Sequence, residues 1–324
     1  MTSHDVISRV RRLAHTRKVG HGGTLDPMAT GVLVLGIGKA TKLLTWVSGH
    51  SKEYRATIRF GISTNTDDAE GVATAAKGCA CLSEADLESV LAPLRGDIMQ
   101  VPTTVSAIKV NGKRAYALAR AGQDVELAAR PVHISRLEVL APPREAQAYI
   151  DEAGEGAACP PGPVRVVDVD VDVECSSGTY VRALARDAGA ALGVGAHLTA
   201  LRRTRVGCFP LDDALTLDEL TRAVEDTPTG EGEEPVLPLI PLGRAALDMF
   251  PALALTEAEA GALSHGQAPR RCRGELAQWA AEVGYAPQAA PEEESAPIAA
   301  VAPDGTVLGL LRIDAARLRT VLVF

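Results

Sequence analysis

From Val19 to Lys42 the chain reads VGHGGTLDPMATGVLVLGIGKATK. Gly20, Gly22 and Gly23 followed by Asp26-Pro27 spell a rigid, non-helical loop: proline drives its predecessor out of the α region, and glycine tolerates backbone angles that other residues avoid. The loop sets one carboxylate, Asp26, just ahead of the apolar run Val32 to Ile37, which reads as a buried strand, with Ala40 to Val47 as a short helix behind it. Two generic phosphate-binding readings fail here. Gly38-Lys39 is followed by Ala40, and Leu33 stands where the first glycine of a Walker loop belongs. Gly20-x-Gly22 has Leu25 at the third glycine position of a dinucleotide fingerprint.

Working outward, Tyr54 to Phe60 alternates as a strand, and SEADLESVLAPLR from Ser83 opens with a Ser-x-x-Asp cap before Leu87, Val90, Leu91 and Leu94 at helical spacing. Pro93 trims that helix. TTVSAIKV and KRAYALARAG flank Asn111-Gly112, the signature of a tight turn between a strand and a helix ending at Gly122. VRVVDVDVDVEC, Val164 to Cys175, alternates apolar and acidic residues and predicts a strand with one dry and one wet face. Tyr180 to Leu192 reads as an amphipathic helix and His197 to Val206 as extended chain. The Pro/Ala/Glu-rich segments 141–163 and 284–297 read as loops.

Composition changes near residue 226, where DTPTGEGEEPVLPLIPLG is linker-like. Beyond it TEAEAGALSHG predicts a capped helix closing at Gly266, and the C-terminal residues read as short strands around an Asp304-Gly305 hairpin. The expected organisation is a domain over 1–226, a linker over 227–247 and a small β-rich domain over 248–324.

The 324 residues, 46% hydrophobic, suffice for one large core and a smaller second one. No apolar run reaches the length of a membrane helix, and MTSHDVISRVRR lacks the apolar core of a secretory signal, so the reading is a cytoplasmic protein. Six cysteines without a CxxC pair or a Cys/His cluster argue for reduced thiols and no metal. Net charge is −8, yet residues 1–60, 95–136 and 182–205 carry +7, +4 and +4, leaving −23 for the rest. A face that meets nucleic-acid phosphates needs such local positive charge, although charge blocks are more often plain solvated surface.

Gly23-Thr24-Leu25-Asp26-Pro27-Met28-Ala29-Thr30-Gly31 resembles the signature loop of the bacterial tRNA pseudouridine-55 synthase (TruB-type) family, Gly-x-Leu-Asp-Pro-x-Ala-x-Gly, whose aspartate is catalytic. Further similar blocks follow in family order: Lys-Glu-Tyr-Arg at 52–55, Thr-Asp-Asp-Ala-Glu-Gly at 66–71, Val-Pro-Thr-Thr-Val-Ser-Ala-Ile-Lys at 101–109, Gly-Lys-Arg-Ala-Tyr at 112–116, Gly-Thr-Tyr-Val-Arg at 178–182 and Gly-Ala-His-Leu-Thr-Ala-Leu-Arg-Arg at 195–203. The resemblance covers most of residues 1–226. It implies an α/β (α+β) pseudouridine synthase fold on a mixed, largely antiparallel sheet. The part after 248 is similar, more weakly, to a PUA-type RNA-binding barrel. Family members usually begin with a short strand and a Lys-Pro-x-Gly segment ahead of the block that opens here at Met1, so a longer native protein is expected.

What the resemblance implies for the site is specific. Asp26 is the nucleophile or base, Arg182 its ion-pair partner, and Tyr54 lies on the target base and handles the proton at base carbon 5. Leu201 lines the uracil pocket, His21 helps hold the nucleotide out of its stack, and Tyr180 and Lys109 bind substrate. The implied reaction isomerises a T-loop uridine of tRNA without cofactor or metal, by a monomer that requires no protein partner. Each residue has a plainer reading when taken alone: Asp26-Pro27 as a turn, Tyr54 and Leu201 as core, Arg182 as a helix-surface residue, His21 as a cap on a backbone group. A non-catalytic tRNA-binding or folding factor would use the same face. A guide-RNA-dependent relative of the dyskerin type is the third reading.

Overall fold

The computed structural model describes residues 1–103, 109–110, 113–114, 127–151, 154, 159–226, 237–285, 295–314 and 317–324. The chain divides into two compact units. Met1–Val10, Gly20–Leu35 and Leu44–Leu215 form one, and Arg11–Val19, Gly36–Leu43 and Thr216–Phe324 form the other.

The first unit is built on an eight-stranded sheet whose centre is the strand Lys52–Phe60. Its alternation buries Tyr54, Ala56, Ile58 and Phe60 on one face, as its sequence predicts. The strand Gly162–Cys175 pairs antiparallel on one side and Ala196–Val206 antiparallel on the other. Beyond Gly162–Cys175 come Arg130–Val139 and then Gly96–Gln100, and Phe209–Pro210 lies at the opposite edge. Thr30–Gly31 joins Ala196–Val206 in parallel, whereas the other paired strands of this sheet run antiparallel among the described residues. The expected mixed, largely antiparallel sheet is what forms.

In Gly162–Cys175 the alternation works as read. Val167, Val169, Val171 and Val173 are fully buried, each contributing roughly 1.5–3 kcal/mol by leaving water. On the other face the carboxylates are partly covered by arginines from flanking strands. Arg59 grips Asp168 through two bonds of 2.8 and 2.7 Å, Arg136 reaches Asp172 and Glu174 at 2.9 Å each, and Arg144 takes Asp170. Much of the acidic excess is thereby paired across strands, at a few tenths of a kcal/mol per pair.

The helix Glu84–Leu91 starts at a capping box between Ser83 and Asp86, and the proline at position 93 turns its end into a single 3-10 turn, Ala92–Leu94. The helix Val181–Ala191 packs Val181, Leu184, Ala185 and Ala188 into the core of the sheet.

The second unit holds a four-stranded sheet in the order Ala252–Ala254, Ile298–Val301, Val307–Asp314, Arg317–Val323, with the first pair parallel. Leu253, Leu263, Ile298 and Leu311 form its fully buried centre. The helix Glu257–Ser264 is capped by Thr256 with Glu259 and ends before Gly266, as predicted. The Asp304-Gly305 turn is closed by Gly305 in the left-handed region and by the Thr306 amide donating to Asp304 at 2.9 Å. No helix among the described residues is long and apolar enough to cross a membrane.

Arg144–Ile150, inside a segment read as loop, is a strand laid against Gly162–Cys175. Its polar edge and short apolar residues hid it, because pairing and not pattern makes it a strand. The strand expected over Val32–Ile37 is confined to Leu35–Ile37. The helices Ser3–Leu13 and Arg273–Glu282 and the strands Gly96–Gln100 and Arg130–Val139 went unread. Lys109 pairs with Arg114 and Val110 with Lys113, the register a two-residue turn imposes. The helix expected to end at Gly122 lies outside the described residues.

Candidate active site

The motif loop is set by its backbone. Asp26 to Ala29 closes a β-turn, with the Ala29 amide donating to the Asp26 carbonyl at 2.9 Å and Pro27 at the position where its fixed φ is favourable. Gly31 ends the loop at φ +97°, where a Cβ would lie 2.1 Å from the Arg203 carbonyl oxygen. Only glycine lets the loop run down alongside Ala196–Val206, where the Val32 amide donates to that same carbonyl at 2.8 Å.

Asp26 meets Arg182 from the far end of the domain sequence. The guanidinium Nε donates to Oδ2 at 2.9 Å and Nη2 to Oδ1 at 3.0 Å, a two-pronged pair. Arg182 is almost wholly buried, its side chain 5% exposed, whereas that of Asp26 is 30% exposed. The arginine is fixed from behind: Nη1 donates to the Thr66 carbonyl at 2.9 Å and lies 3.2 Å from Oδ2 of Asp68. Asp68 is itself held, its Oδ1 accepting from the Thr66 hydroxyl at 2.5 Å and from the Glu70 amide at 3.0 Å. A buried, fully engaged arginine thus presents a carboxylate whose outer edge is open to solvent. Beside this cluster Asp67, at φ +59°, carries a carboxyl pushed up to about 6 by burial, against the pull of Arg186 and Arg182.

Tyr54 belongs to the same apolar cluster as Leu201, with Met28 and Ala29 of the motif loop packed against it. Strand register places Tyr54 opposite Arg203 and Leu201 opposite Ala56. Burial pushes the Tyr54 phenol up to about 12, Arg203 pulls the other way, and Asp26 adds to the rise. Around neutral pH the ring therefore carries its proton.

Of the residues singled out in the sequence, Asp26 and Arg182 touch, and Tyr54 and Leu201 share one apolar wall. His21 takes its plainer role at least in part: its Nδ1 accepts from the Gly23 amide at 3.2 Å, and burial, then Arg203 and His4, lower its pKa. Tyr180 opens the Arg182 helix, and its amide and carbonyl are both bonded by the side chain of buried Gln100, at 2.9 and 3.1 Å. The side chain of Lys109 lies outside the described residues.

Sequence reasoning missed Ser3, Asp68, Gln100 and Arg203. Ser3, Asp68 and Arg203 lie in family blocks, but nothing in their spacing marks them as buried; Gln100 carries no pattern at all. Among the described residues no group of three or more His, Cys, Asp and Glu could hold a metal ion.

Comparison with known proteins bears on the same loop and helix. The model for the N-terminal domain of TruB family pseudouridylate synthases matches residues 11–181, and that for the C-terminal domain of tRNA pseudouridylate synthase B matches 182–244. The chain belongs to the TruB family of pseudouridylate synthases. It is an isomerase by that membership. A tRNA pseudouridine synthase B from Arthrobacter sp. (strain FB24) is 50% identical over the whole chain and 92% of its own length. One from Mycobacteroides abscessus is 55% identical over 82% of this chain and 80% of its own. Among solved structures, an H/ACA ribonucleoprotein bound to a substrate RNA containing 2′-deoxyuridine aligns with a TM-score of 0.61 at 21% identity, covering all of this chain and 81% of that one. A Cbf5-Nop10-Gar1 complex aligns with a TM-score of 0.60 at 23% identity, covering 97% and 75%. These two likenesses are of fold.

Proposed function

We propose that the chain converts the uridine at position 55 in the T loop of tRNA to pseudouridine, with Asp26 as the catalytic carboxylate. The observation that carries this reading is the two-pronged Asp26–Arg182 pair, with the carboxylate half open and the arginine buried. The family relatives named tRNA pseudouridine synthase B support the substrate class.

The reaction breaks the bond from the sugar C1′ to base N1, turns the uracil, and joins C1′ to C5. The hydrogen at C5 leaves and N1 gains one, so product and substrate are isomers and no cofactor or metal enters the balance. Asp26 acts by adding to the base, by capturing C1′, or by removing a sugar proton. Arg182 aims the carboxylate. Tyr54 stacks on the base and, with its phenol near 12, works in the neutral form when the C5 proton is passed on. Leu201 backs the uracil, His21 helps keep the nucleotide extruded, and Tyr180 and Lys109 contact the RNA. Extrusion costs a few kcal/mol, which phosphate contacts from the basic segments offset.

In this reading residues 1–226 are the catalytic domain, 227–247 a linker and 248–324 a PUA-like module that binds RNA. The protein acts in the cytoplasm, as a monomer without a protein partner, on the T arm.

Site-mapped pseudouridine on an unmodified tRNA transcript, with wild type and Asp26→Ala and nothing else added, tests the reading. Product at the T-loop uridine from wild type alone supports it. No product from folded wild type that still binds tRNA leaves a binding or folding factor in its place.

A further inference from the structure

The catalytic loop has a backbone problem that the motif alone does not solve. Residues 23–26 are irregular, so their amides and carbonyls lack ladder partners, and an irregular segment drifts unless something satisfies those groups. His21 takes the Gly23 amide and Ala29 the Asp26 carbonyl; the Leu25 amide and the carbonyls of Gly23, Thr24 and Leu25 go to two side chains from distant parts of the same unit.

The hydroxyl of Ser3 both accepts from the Leu25 amide at 3.0 Å and donates to the Leu25 carbonyl at 3.2 Å, holding both polar groups of the residue next to Asp26. A serine at a helix start ordinarily caps its own helix. Here Thr2 and Asp5 make that cap, the Asp5 amide donating to the Thr2 hydroxyl at 3.2 Å and the Thr2 amide to Asp5 Oδ2 at 2.8 Å. Ser3, 7% exposed, is thereby released to the loop.

Arg203 is 1% exposed, and its guanidinium is spent on loop carbonyls: Nε donates to Val32 at 2.7 Å, Nη1 to Thr24 at 3.1 Å and Nη2 to Gly23 at 3.3 Å. A buried cation bonded to carbonyl groups is costly unless the geometry is good. Its fork spans the entry and exit of the loop and fixes the distance between them.

We propose that Ser3 and Arg203 are positioning residues for Asp26, fastening the peptide units that precede and follow it so that the carboxylate meets both Arg182 and the extruded nucleotide. The inference rests on Asp26 being the catalytic carboxylate. Ser3 touches none of the groups assigned to the chemistry, whereas Arg203 also bonds the Tyr54 phenol, so Ser3→Ala isolates the effect on the loop; that loss acts on the chemical step and leaves tRNA affinity in place.

Single-turnover conversion at saturating tRNA transcript, with Kd by filter binding and Tm for each protein, tests it. Ser3→Ala and Arg203→Lys each lower the single-turnover rate constant by about tenfold or more with Kd within threefold of wild type, and Ser3→Thr, which restores the hydroxyl, regains most of the rate. If Arg203→Lys does not fold, the small deletion in Ser3→Ala decides. A folded Ser3→Ala that turns over within twofold of wild type overturns the proposal. So does a loss that Ser3→Thr fails to recover, which would trace the effect to packing, or one that appears wholly in Kd. Absence of product from wild type as well as Asp26→Ala is instead the failure of the functional reading.

Discussion

Arg182 takes both carboxylate oxygens of Asp26, at 2.9 and 3.0 Å, while the same guanidinium lies 3.2 Å from the buried carboxylate of Asp68. One cation therefore stands between a buried anion and a half-open one. Removing it leaves Asp68 charged and without its counter-ion in the core, a change that costs roughly 3–5 kcal/mol when a buried pair is broken from one side. Arg182→Met is expected to lower the unfolding free energy by that order and to reduce product formation at least a hundredfold. Arg182→Lys keeps the charge without the fork and should recover stability more than rate. Urea denaturation alongside the pseudouridine assay checks both.

Tyr54 separates ionisation from function. With its phenol at about 12, no tyrosinate accumulates near neutrality, so the rate between pH 6 and 9 should show no step that vanishes in Tyr54→Phe. The variant keeps the apolar wall and its Tm, and loses rate at least tenfold if the hydroxyl passes the C5 proton. A pH profile of single-turnover rates for both proteins is the measurement.

Asp67 makes stability fall as pH rises. Its carboxyl sits at about 6 in the folded chain against an ordinary value of 3.8, because burial disfavours the charge. The folded state thus holds the proton longer than the unfolded one. The contribution is complete below pH 4 and is lost through pH 6. Asp67→Asn, which tolerates the left-handed backbone at this position, removes the dependence. The Tm difference, variant minus wild type, should grow between pH 4 and 7; a flat difference in calorimetry would contradict the assignment.

Gly31 admits no side chain. At φ +97° and with the Arg203 carbonyl 2.1 Å from a would-be Cβ, Gly31→Ala must push the loop off the strand Ala196–Val206. A destabilisation of about 2 kcal/mol or more is expected, with activity lost even in the fraction that folds. Denaturant titration and the transcript assay report the two effects separately.

Much of this could be read from the chain before any coordinates. The alternation in Val164–Cys175 dictated a strand with valines inside, the Ser83 and Thr256 boxes dictated helix starts, and the Asp-Pro turn with its glycines dictated an irregular loop, because each signal is local and satisfied within a few residues. The motif blocks named the family and pointed to Asp26. Tertiary structure alone decided which groups meet. Arg182, which periodicity reads only as one face of a helix and which the family resemblance alone paired with Asp26, is buried against it across 156 positions of chain. Ser3, Gln100 and Arg203 spend their polar atoms on the backbone of other segments, and Arg144–Ile150 is a strand only because a partner lies beside it. Periodicity records which face of an element is apolar; it does not record which distant carbonyl a buried side chain must satisfy, and that requirement is set when the sheet brings the segments together.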